Sequence, residues 1–478
     1  MMNAPSVSER IDEQVYDLIT IGSGSAARAA ANEARRLGRS VAMIERGLPG
    51  GTCLNVGCVP SKSLLAAAAT FHAAGHPSFA GVETSANLLD LTSLTQQKDA
   101  FLSLLRERDH VEAPFRAGIK VYRGQASFAS DQGEHYVSVQ VKSQDESVQS
   151  IGARHVLIAS GAAPFVPAIP GLETVDYLTS STSMSLEKVP ESMLILGGNA
   201  IGLEQAQLFS RLGSRVTVVE IADRIAPLED PAVSASLQIA LAAEGVTFHT
   251  GTTLSRVKRI GGSIQGRLDS RKNQTEIVAE RLLIATGRRP ATDGLNLKAV
   301  DVEVGDRGHI SVDEHLRTNN PRVWAAGDVT GLPQFVYVAS AQGTLMVNNA
   351  FGERPETLDY RALPRVIFTS PQLASVGLTP SQAAAQGIAH EVREAPMGMV
   401  VRAIINHHTE GLIRLVSEPG SGKVLGVHMT GDSAGEVIAA ATYAISAGLS
   451  VEDIKNTWSP FLTMTEALKI AAKQSPLA

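Results

Sequence analysis

Cysteine is nearly missing from this sequence, with two in 478 residues. That count excludes a disulfide-stapled scaffold and a tetrahedral metal site built from thiolates alone. There is no run of basic residues, and the formal net charge is −6, which argues against a broad nucleic-acid footprint. No apolar stretch is long enough to span a membrane. The first fourteen residues, Met1 to Gln14, are polar and mixed in charge, without the apolar core of a signal peptide. The expectation is a cytoplasmic protein that engages neither nucleic acid nor membrane. Its length exceeds one ordinary core, so two to four domains are expected.

What is present is a nucleotide-binding pattern, and it occurs twice. The apolar run Leu18–Ile21 ends in Gly22-Ser23-Gly24-Ser25-Ala26-Ala27. An alanine-rich stretch then leads to Leu37 and Gly38, followed by a strand-like segment from Ser40 to Ile44 and Glu45. This predicts strand, glycine turn, helix and second strand. Gly22 and Gly24 permit the turn and the approach of a pyrophosphate to the helix N-terminus, with Ala27 packed behind them. Glu45, at the strand end, is placed to accept hydrogen bonds from ribose hydroxyls. Leu194–Gly202 repeats the unit, and Gly197, Gly213 and Glu220 follow Gly22, Gly38 and Glu45 at one constant displacement of 175 residues. Gly202 matches Ala27 at the same displacement. Such an ungapped repeat is not the product of two unrelated turns, and it implies two dinucleotides, one a tightly held flavin. A smaller repeat, Ile158-Ala159-Ser160-Gly161 and Ile284-Ala285-Thr286-Gly287, each with a proline three residues on, reads as the chain leaving one nucleotide domain and re-entering another.

Both cysteines fall in Gly50-Gly51-Thr52-Cys53-Leu54-Asn55-Val56-Gly57-Cys58-Val59-Pro60-Ser61-Lys62. In a reducing compartment, two lone cysteines this close point to redox catalysis rather than stapling. Residues five apart on a regular helix face about 140° away from each other. A redox pair here therefore requires a distorted helical start, for which Gly50, Gly51, Gly57 and Pro60 supply the residues. A helix N-terminus beneath the sulfurs would favour the thiolate.

That segment resembles the active-site signature of the class I pyridine nucleotide-disulfide oxidoreductases. The resemblance extends over nearly the whole chain. Trp324-Ala325-Ala326-Gly327-Asp328 is similar to the family's second FAD motif, and Gly124-Gln125-Ala126-Ser127-Phe128 to the segment along the adenosine. Residues from about Pro364 onward are similar to the dimerisation domain. The resemblance implies an α/β fold with two Rossmann-like domains, for FAD and NAD(P), plus a C-terminal α+β dimerisation domain. Its boundaries would be 1–160 (FAD), 161–285 (NAD(P)), 286–355 (return to the FAD domain) and 356–478 (interface). It implies a homodimer with active sites at the subunit interface. Cys53 would be the substrate-facing thiol and Cys58 the flavin-facing one. Lys62 would sit by the flavin with Glu204 as its ion-pair partner, and Asp328 would contact the ribityl chain. Gly47, Thr52, Ala126, Val336 and Gly287 would complete the cofactor contacts.

The C-terminus narrows the reading. Disulfide reductases of this family carry a His-Pro-Thr-x-x-Glu stretch whose His is the general acid/base. The matching segment here is Phe461-Leu462-Thr463-Met464-Thr465-Glu466, with Glu466 kept and Phe461 at the His position. It is similar to the segment found in mercuric reductases, as is Pro333–Val338, where Tyr337 would stand beside the metal. Hg(II) bound by Cys53 and Cys58 needs electrons, not a proton on sulfur. No cysteine follows Cys58, so the expectation is a protein without the C-terminal carrier pair of those relatives and without the N-terminal metallochaperone domain of some of them. Delivery of the metal directly from solution is expected. The expected function is NAD(P)H- and FAD-dependent reduction of an Hg(II)–thiol complex, with NADH favoured through Glu220 and Arg224 nearby able to offset part of that bias. The alternatives are a small-disulfide or quinone reductase and a flavin-based dithiol redox sensor. His407-His408 reads as a solvated turn.

Overall fold

The computed structural model describes residues 14–88, 90–130, 135–271 and 273–477. The amino-terminal stretch read above as lacking a signal peptide lies, apart from Gln14, outside the described residues. Among the described residues no helix is long and apolar enough to cross a membrane. The chain forms two compact units: residues up to 60, 99–164 and 288–358 in the first, and 61–98, 165–287 and 359 onward in the second.

The first unit is built on a seven-stranded sheet. Its strands are β1 (Val15–Ile21), β2 (Val41–Glu45), β3 (Lys120–Arg123), β4 (Gln125–Phe128), β5 (Val137–Lys142) and β6 (Val148–Ile158), in the order β3-β2-β1-β6-β5-β4, with β17 (Val323–Ala325) paired to β6. The β3-β2-β1-β6-β17 half is parallel and closes by crossovers, whereas β4, β5 and β6 run antiparallel. Strands buried on both faces read as continuous apolar runs, and the pleat divides them. Ile19, Ile21, Ala42, Ile44, Val156 and Ile158 join one core, while Leu18, Val41, Met43 and Leu157 join another. A separate two-stranded ladder pairs β7 (Ala162–Pro164) with β16 (Arg288–Pro290).

The second core of this unit is where helix α1 (Ser25–Arg36) meets α8 (Val336–Phe351). The buried face of α1 is Ala26, Ala27, Ala30, Ala31 and Ala34, all small enough to let backbones approach. A Cβ added at Gly343 of α8 would lie 2.1 Å from the Ala26 carbonyl oxygen. Gly343→Ala is therefore expected to destabilise the protein by about 1–3 kcal/mol through overpacking. A melting temperature equal to that of the wild type would show instead that the two helices part without cost.

The second unit holds a five-stranded parallel sheet, β11-β10-β9-β15-β8, made of β8 (Tyr177–Thr179), β9 (Ser192–Leu196), β10 (Arg215–Val219), β11 (Thr247–His249) and β15 (Arg281–Ile284). An antiparallel sheet of β12 (Thr252–Ile260), β13 (Ser263–Ser270) and β14 (Gln274–Ala279) shares a core with it. Its C-terminal part is an antiparallel sheet, β18-β19-β22-β21-β20, from β18 (Arg365–Ile367), β19 (Gln372–Gly377), β20 (Glu391–Pro396), β21 (Leu412–Ser417) and β22 (Val424–Gly431). Around these sheets lie α6 (Ala200–Arg211), α7 (Pro231–Ala243), α9 (Pro380–Ala385), α10 (Val401–Asn406), α11 (Ala434–Ser446), α12 (Val451–Asn456) and α13 (Glu466–Lys473). The remaining helices are α2 (Gly51–Val56), α3 (Cys58–Gly75), α4 (Leu91–Arg106) and α5 (Ala113–Arg116), with a π-helical turn, Glu107–Glu112, joining the last two. The architecture is the α/β arrangement expected from the sequence.

Candidate functional site

The two glycine turns repeat in three dimensions, bond for bond. Helices α1 and α6 start and end at positions 175 residues apart (25 and 200, 36 and 211). Gly22 has φ +108° and Gly197 φ +113°, which only glycine adopts freely. A Cβ on either would collide with a carbonyl oxygen, that of Ala159 at 2.5 Å or of Ala285 at 2.4 Å. Those alanines belong to the smaller repeat, and each donates its N–H to the strand before the turn, Ala159 to Ile21 and Ala285 to Leu196. The two acidic strand ends behave alike. Glu45 Oε2 accepts from the Ser23 N–H at 3.1 Å and Oε1 from the Gly47 N–H at 2.7 Å. Glu220 Oε2 accepts from Gly198 at 2.7 Å and Oε1 from Ala222 at 2.8 Å. Each carboxylate ties its turn to the strand and, with about four acceptor sites in all, retains capacity for a ribose hydroxyl.

Arg224 is turned into its own loop. Its guanidinium donates to the carbonyls of Ala226, Pro227 and Glu229 in its own loop, so it is spent on holding that loop. The sequence places it near Glu220 but cannot say which way it turns.

In the first unit the turn opens on a cavity of about 400 Å³, lined by Gly22, Ser23, Gly24, Glu45, Gly47, Thr52 and Ala126, all but Ser23 anticipated from sequence. Ser160, which also lines it, carries a buried hydroxyl with no hydrogen-bond partner among the described residues. Glycine backbone at a helix N-terminus, a carboxylate at the strand end and an orphaned hydroxyl form a set that suits the pyrophosphate and ribose of a dinucleotide. These residues fit the adenosine half of FAD.

The cysteine segment is built directly onto this turn. Ser23 Oγ donates to Glu45 at 2.6 Å and accepts from the Gly50 N–H at 3.0 Å. A Cβ on Gly51 would stand 2.7 Å from the Gly24 Cα. The expected helical distortion takes the form of a break. Cys53 lies on the short helix α2, Gly57 interrupts it at φ −129°, ψ −114°, and Cys58 opens the 18-residue helix α3. Cys53 is half-buried and Cys58 exposed, and the positive end of α3 favours negative charge on Cys58. Asn55, between them, donates to the carbonyls of Leu48, Pro49 and Gly51 and accepts from Arg106.

Lys62 and Glu204, 142 residues apart, form an ion pair at 2.7 Å, with Glu204 the more deeply buried. The other Glu204 oxygen accepts the Phe368 N–H at 3.0 Å, and the Lys62 ammonium sits 4.5 Å from the Phe368 ring centroid. Sequence reasoning found the pair and missed Phe368. Asp328 follows β17 on a short 3-10 turn. Burial pushes its carboxyl above the usual range, and Arg288, 3.6 Å away, opposes the shift. Gly287, next to Arg288, has φ +117° and open space where a Cβ would be. Val336 and Tyr337 open α8, and Tyr337 stacks on Phe335 at 5.3 Å.

At the C-terminus, Phe461 is 72 % exposed and Trp458, close by in sequence, 93 %. Glu466 begins α13 and accepts the Leu462 N–H at 3.0 Å, where Leu462 has φ +64°. Its carboxylate thus caps its own turn. His407 packs edge-on against Phe79, and His408 stands 3.6 Å from Asp432. Among the described residues no three His, Cys, Asp or Glu side chains form a group able to hold a metal.

Comparison with known proteins agrees with this geometry. Residues 16–343 match the pyridine nucleotide-disulphide oxidoreductase family, and residues 363–472 match its dimerisation domain. A mercuric reductase of Streptomyces lividans is 50 % identical over 459 residues, covering 96 % of both chains. One of Bacillus cereus is 42 % identical over 95 % of this chain and 71 % of its own. Among solved structures, a Cu(II) complex of the HOCl-induced flavoprotein disulfide reductase RclA from Escherichia coli superposes with TM-score 0.84 at 28 % identity, over 96 % of this chain and 99 % of that one. LpdA from Mycobacterium tuberculosis shares the fold, with TM-score 0.86 at 24 % identity over 95 % of this chain and 99 % of its own.

Proposed function

The chain belongs to the pyridine nucleotide-disulphide oxidoreductase family, and from that premise we propose that it reduces Hg(II), presented as a thiol complex, to Hg(0). It is an NAD(P)H-dependent flavoprotein oxidoreductase that uses FAD. FAD, which Gly22, Gly24, Glu45 and Asp328 would hold, would supply hydride acceptance from NAD(P)H and two-electron transfer. Cys53 and Cys58 exchange onto the metal as thiolates and displace its small-thiol ligands. Two electrons drawn from NAD(P)H enter the metal, Hg(0) leaves, and one proton is released to solvent. The Lys62–Glu204 pair would hold a cation by the flavin, Asp328 would hold the ribityl chain, and Tyr337, with Phe461 of a second copy, would border the metal. The acceptor end is completed by a second copy of the chain, in a cytoplasmic homodimer.

The observation that carries this reading is the C-terminal segment. Phe461 offers no proton, and the Glu466 carboxylate is engaged by the Leu462 N–H. A disulfide acceptor needs a proton donor for its leaving thiolate; a thiophilic cation does not. The likeness to mercuric reductases at up to 50 % identity and the Cu(II) complex of RclA support a metal-ion acceptor. The test is anaerobic NAD(P)H consumption with a panel of metal–thiol complexes, disulfides and quinones. Hg(II)-independent turnover with disulfides alone would overturn the proposal.

Nucleotide preference follows from Glu220 and Arg224. A 2′-phosphate at the end of β10 would meet the Glu220 carboxylate, while Arg224 is committed to three carbonyls. Like charges about 4 Å apart repel by roughly 1–4 kcal/mol near a protein surface. NADH is therefore expected to be the better donor by at least about fivefold in kcat/KM, and Glu220→Gln to narrow that gap. A hundredfold preference for NADPH would show that Glu220 does not face the ribose.

A further inference from the structure

We propose that Arg288 is a positioning residue for electron transfer to the cysteine pair, its guanidinium fastening the cysteine helix to the Asp328 segment. The proposal rests on the reading of Cys53 and Cys58 as the redox pair. Arg288 opens β16, and its side chain is only 13 % exposed. One terminal nitrogen donates to Thr52 Oγ1 at 3.2 Å and also to the Ala162 carbonyl. Its Nε faces Asp328 Oδ2 at 3.6 Å and has no hydrogen-bond partner among the described residues. One cation therefore reaches three separate segments: the cysteine helix, β7 and the turn after β17.

The contact with Thr52 reaches both cysteines. Thr52 precedes Cys53, and Gly57 precedes Cys58. A Cβ on Gly57 would lie 2.9 Å from the Thr52 carbonyl oxygen and 3.3 Å from the Cys53 Cα. Residues 52–58 are thus one tight knot, in which a shift of Thr52 is transmitted to both sulfurs. Burial pulls the guanidinium below its ordinary value, and Asp328 and then Cys58 oppose that shift. Only arginine places one nitrogen on Thr52 and Ala162 and another toward Asp328 at the same time, so lysine is not an equivalent here. The smaller repeat explains why sequence reasoning passed over this residue: its counterpart, 126 positions earlier, is Ala162, and that alanine's carbonyl is one of its partners.

The test uses the flavin-loaded enzyme with Arg288→Met and Arg288→Lys, and Cys53→Ser as reference. Three quantities are read: flavin content, the long-wavelength thiolate-to-flavin absorbance of the two-electron-reduced protein, and turnover with Hg(II)–thiol against ferricyanide, which takes electrons without the cysteines. A displacement on the order of 1 Å costs about 10²-fold. Arg288→Met is expected to lose most of the absorbance and about 10²-fold in Hg(II) turnover while ferricyanide reduction stays within a few-fold. Arg288→Lys is expected to recover little, because lysine has no second nitrogen to face Asp328 while its ammonium meets Thr52 and Ala162. If Arg288→Met does not fold, the lysine variant is decisive by the same measures. Full recovery by lysine, parallel loss of both activities, loss of flavin from both variants, or a wild-type band and turnover would each overturn the proposal. If Cys53→Ser also keeps Hg(II) turnover, the redox-pair reading fails; if only the Arg288 variants are indifferent, this inference alone fails.

Discussion

Cys58→Ser is expected to abolish the long-wavelength thiolate-to-flavin absorbance of the two-electron-reduced enzyme, and Cys53→Ser to keep a band of that kind. Both variants should lose acceptor turnover by on the order of 10³-fold or more, the scale seen when a reacting side chain is removed. The asymmetry follows from where the sulfurs sit. Cys58 begins α3, whose positive end favours a charged donor there, whereas Cys53 is half-buried on α2. These are the only cysteines in the chain, so no third thiol can take over. Flavin content should be unchanged in both variants, because the glycine turn, Glu45 and the Ser160 hydroxyl line the cavity independently of either sulfur. Absorbance titration against dithionite and NAD(P)H consumption provide the readouts. Acceptor reduction at the wild-type rate in both variants would make the pair structural.

Acceptor choice should turn on position 461. With phenylalanine there, glutathione disulfide and lipoamide are expected to be poorer acceptors than Hg(II)–thiol complexes by about 10²–10⁴-fold, the worth of general acid catalysis. Phe461 is widely exposed within its own subunit, so a polar ring there disturbs no core of that subunit. Phe461→Tyr should raise Hg(II) turnover modestly by adding a hydroxyl near the metal. Phe461→His should raise disulfide turnover only if the Glu466 carboxylate can orient the imidazole, and that carboxylate already accepts the Leu462 N–H at 3.0 Å. Its second oxygen remains for the purpose. Separate measurement of NAD(P)H oxidation with each acceptor decides the matter: rapid disulfide turnover by the unmodified chain, with no Hg(II)-dependent oxidation, would leave the family assignment alone standing.

The nucleotide-binding turns were legible because their requirements are local. A φ above +100° at Gly22 and Gly197, a helix starting three residues later and an acidic strand end are fixed within about 25 residues of chain. They therefore survive as a spacing in the sequence, and the same chemistry used twice leaves the same spacing twice. The cysteine segment was legible for a related reason. Two residues five apart cannot face each other on a regular helix, so the glycines had to break it, and Gly57 does.

What the sequence left undecided is side-chain direction, which long-range packing sets. Glu204, beyond its anticipated pairing with Lys62, takes the Phe368 N–H across 164 residues. Arg288 meets Thr52 over 236 residues. Thus the sequence determined the family, the two glycine turns and the helix break between the two cysteines, whose constraints are carried by short stretches of backbone. Tertiary structure alone decided the contacts of Arg288 and the Phe368 end of Glu204, because a long side chain can satisfy its hydrogen bonds in many ways until distant segments of the fold leave it only one.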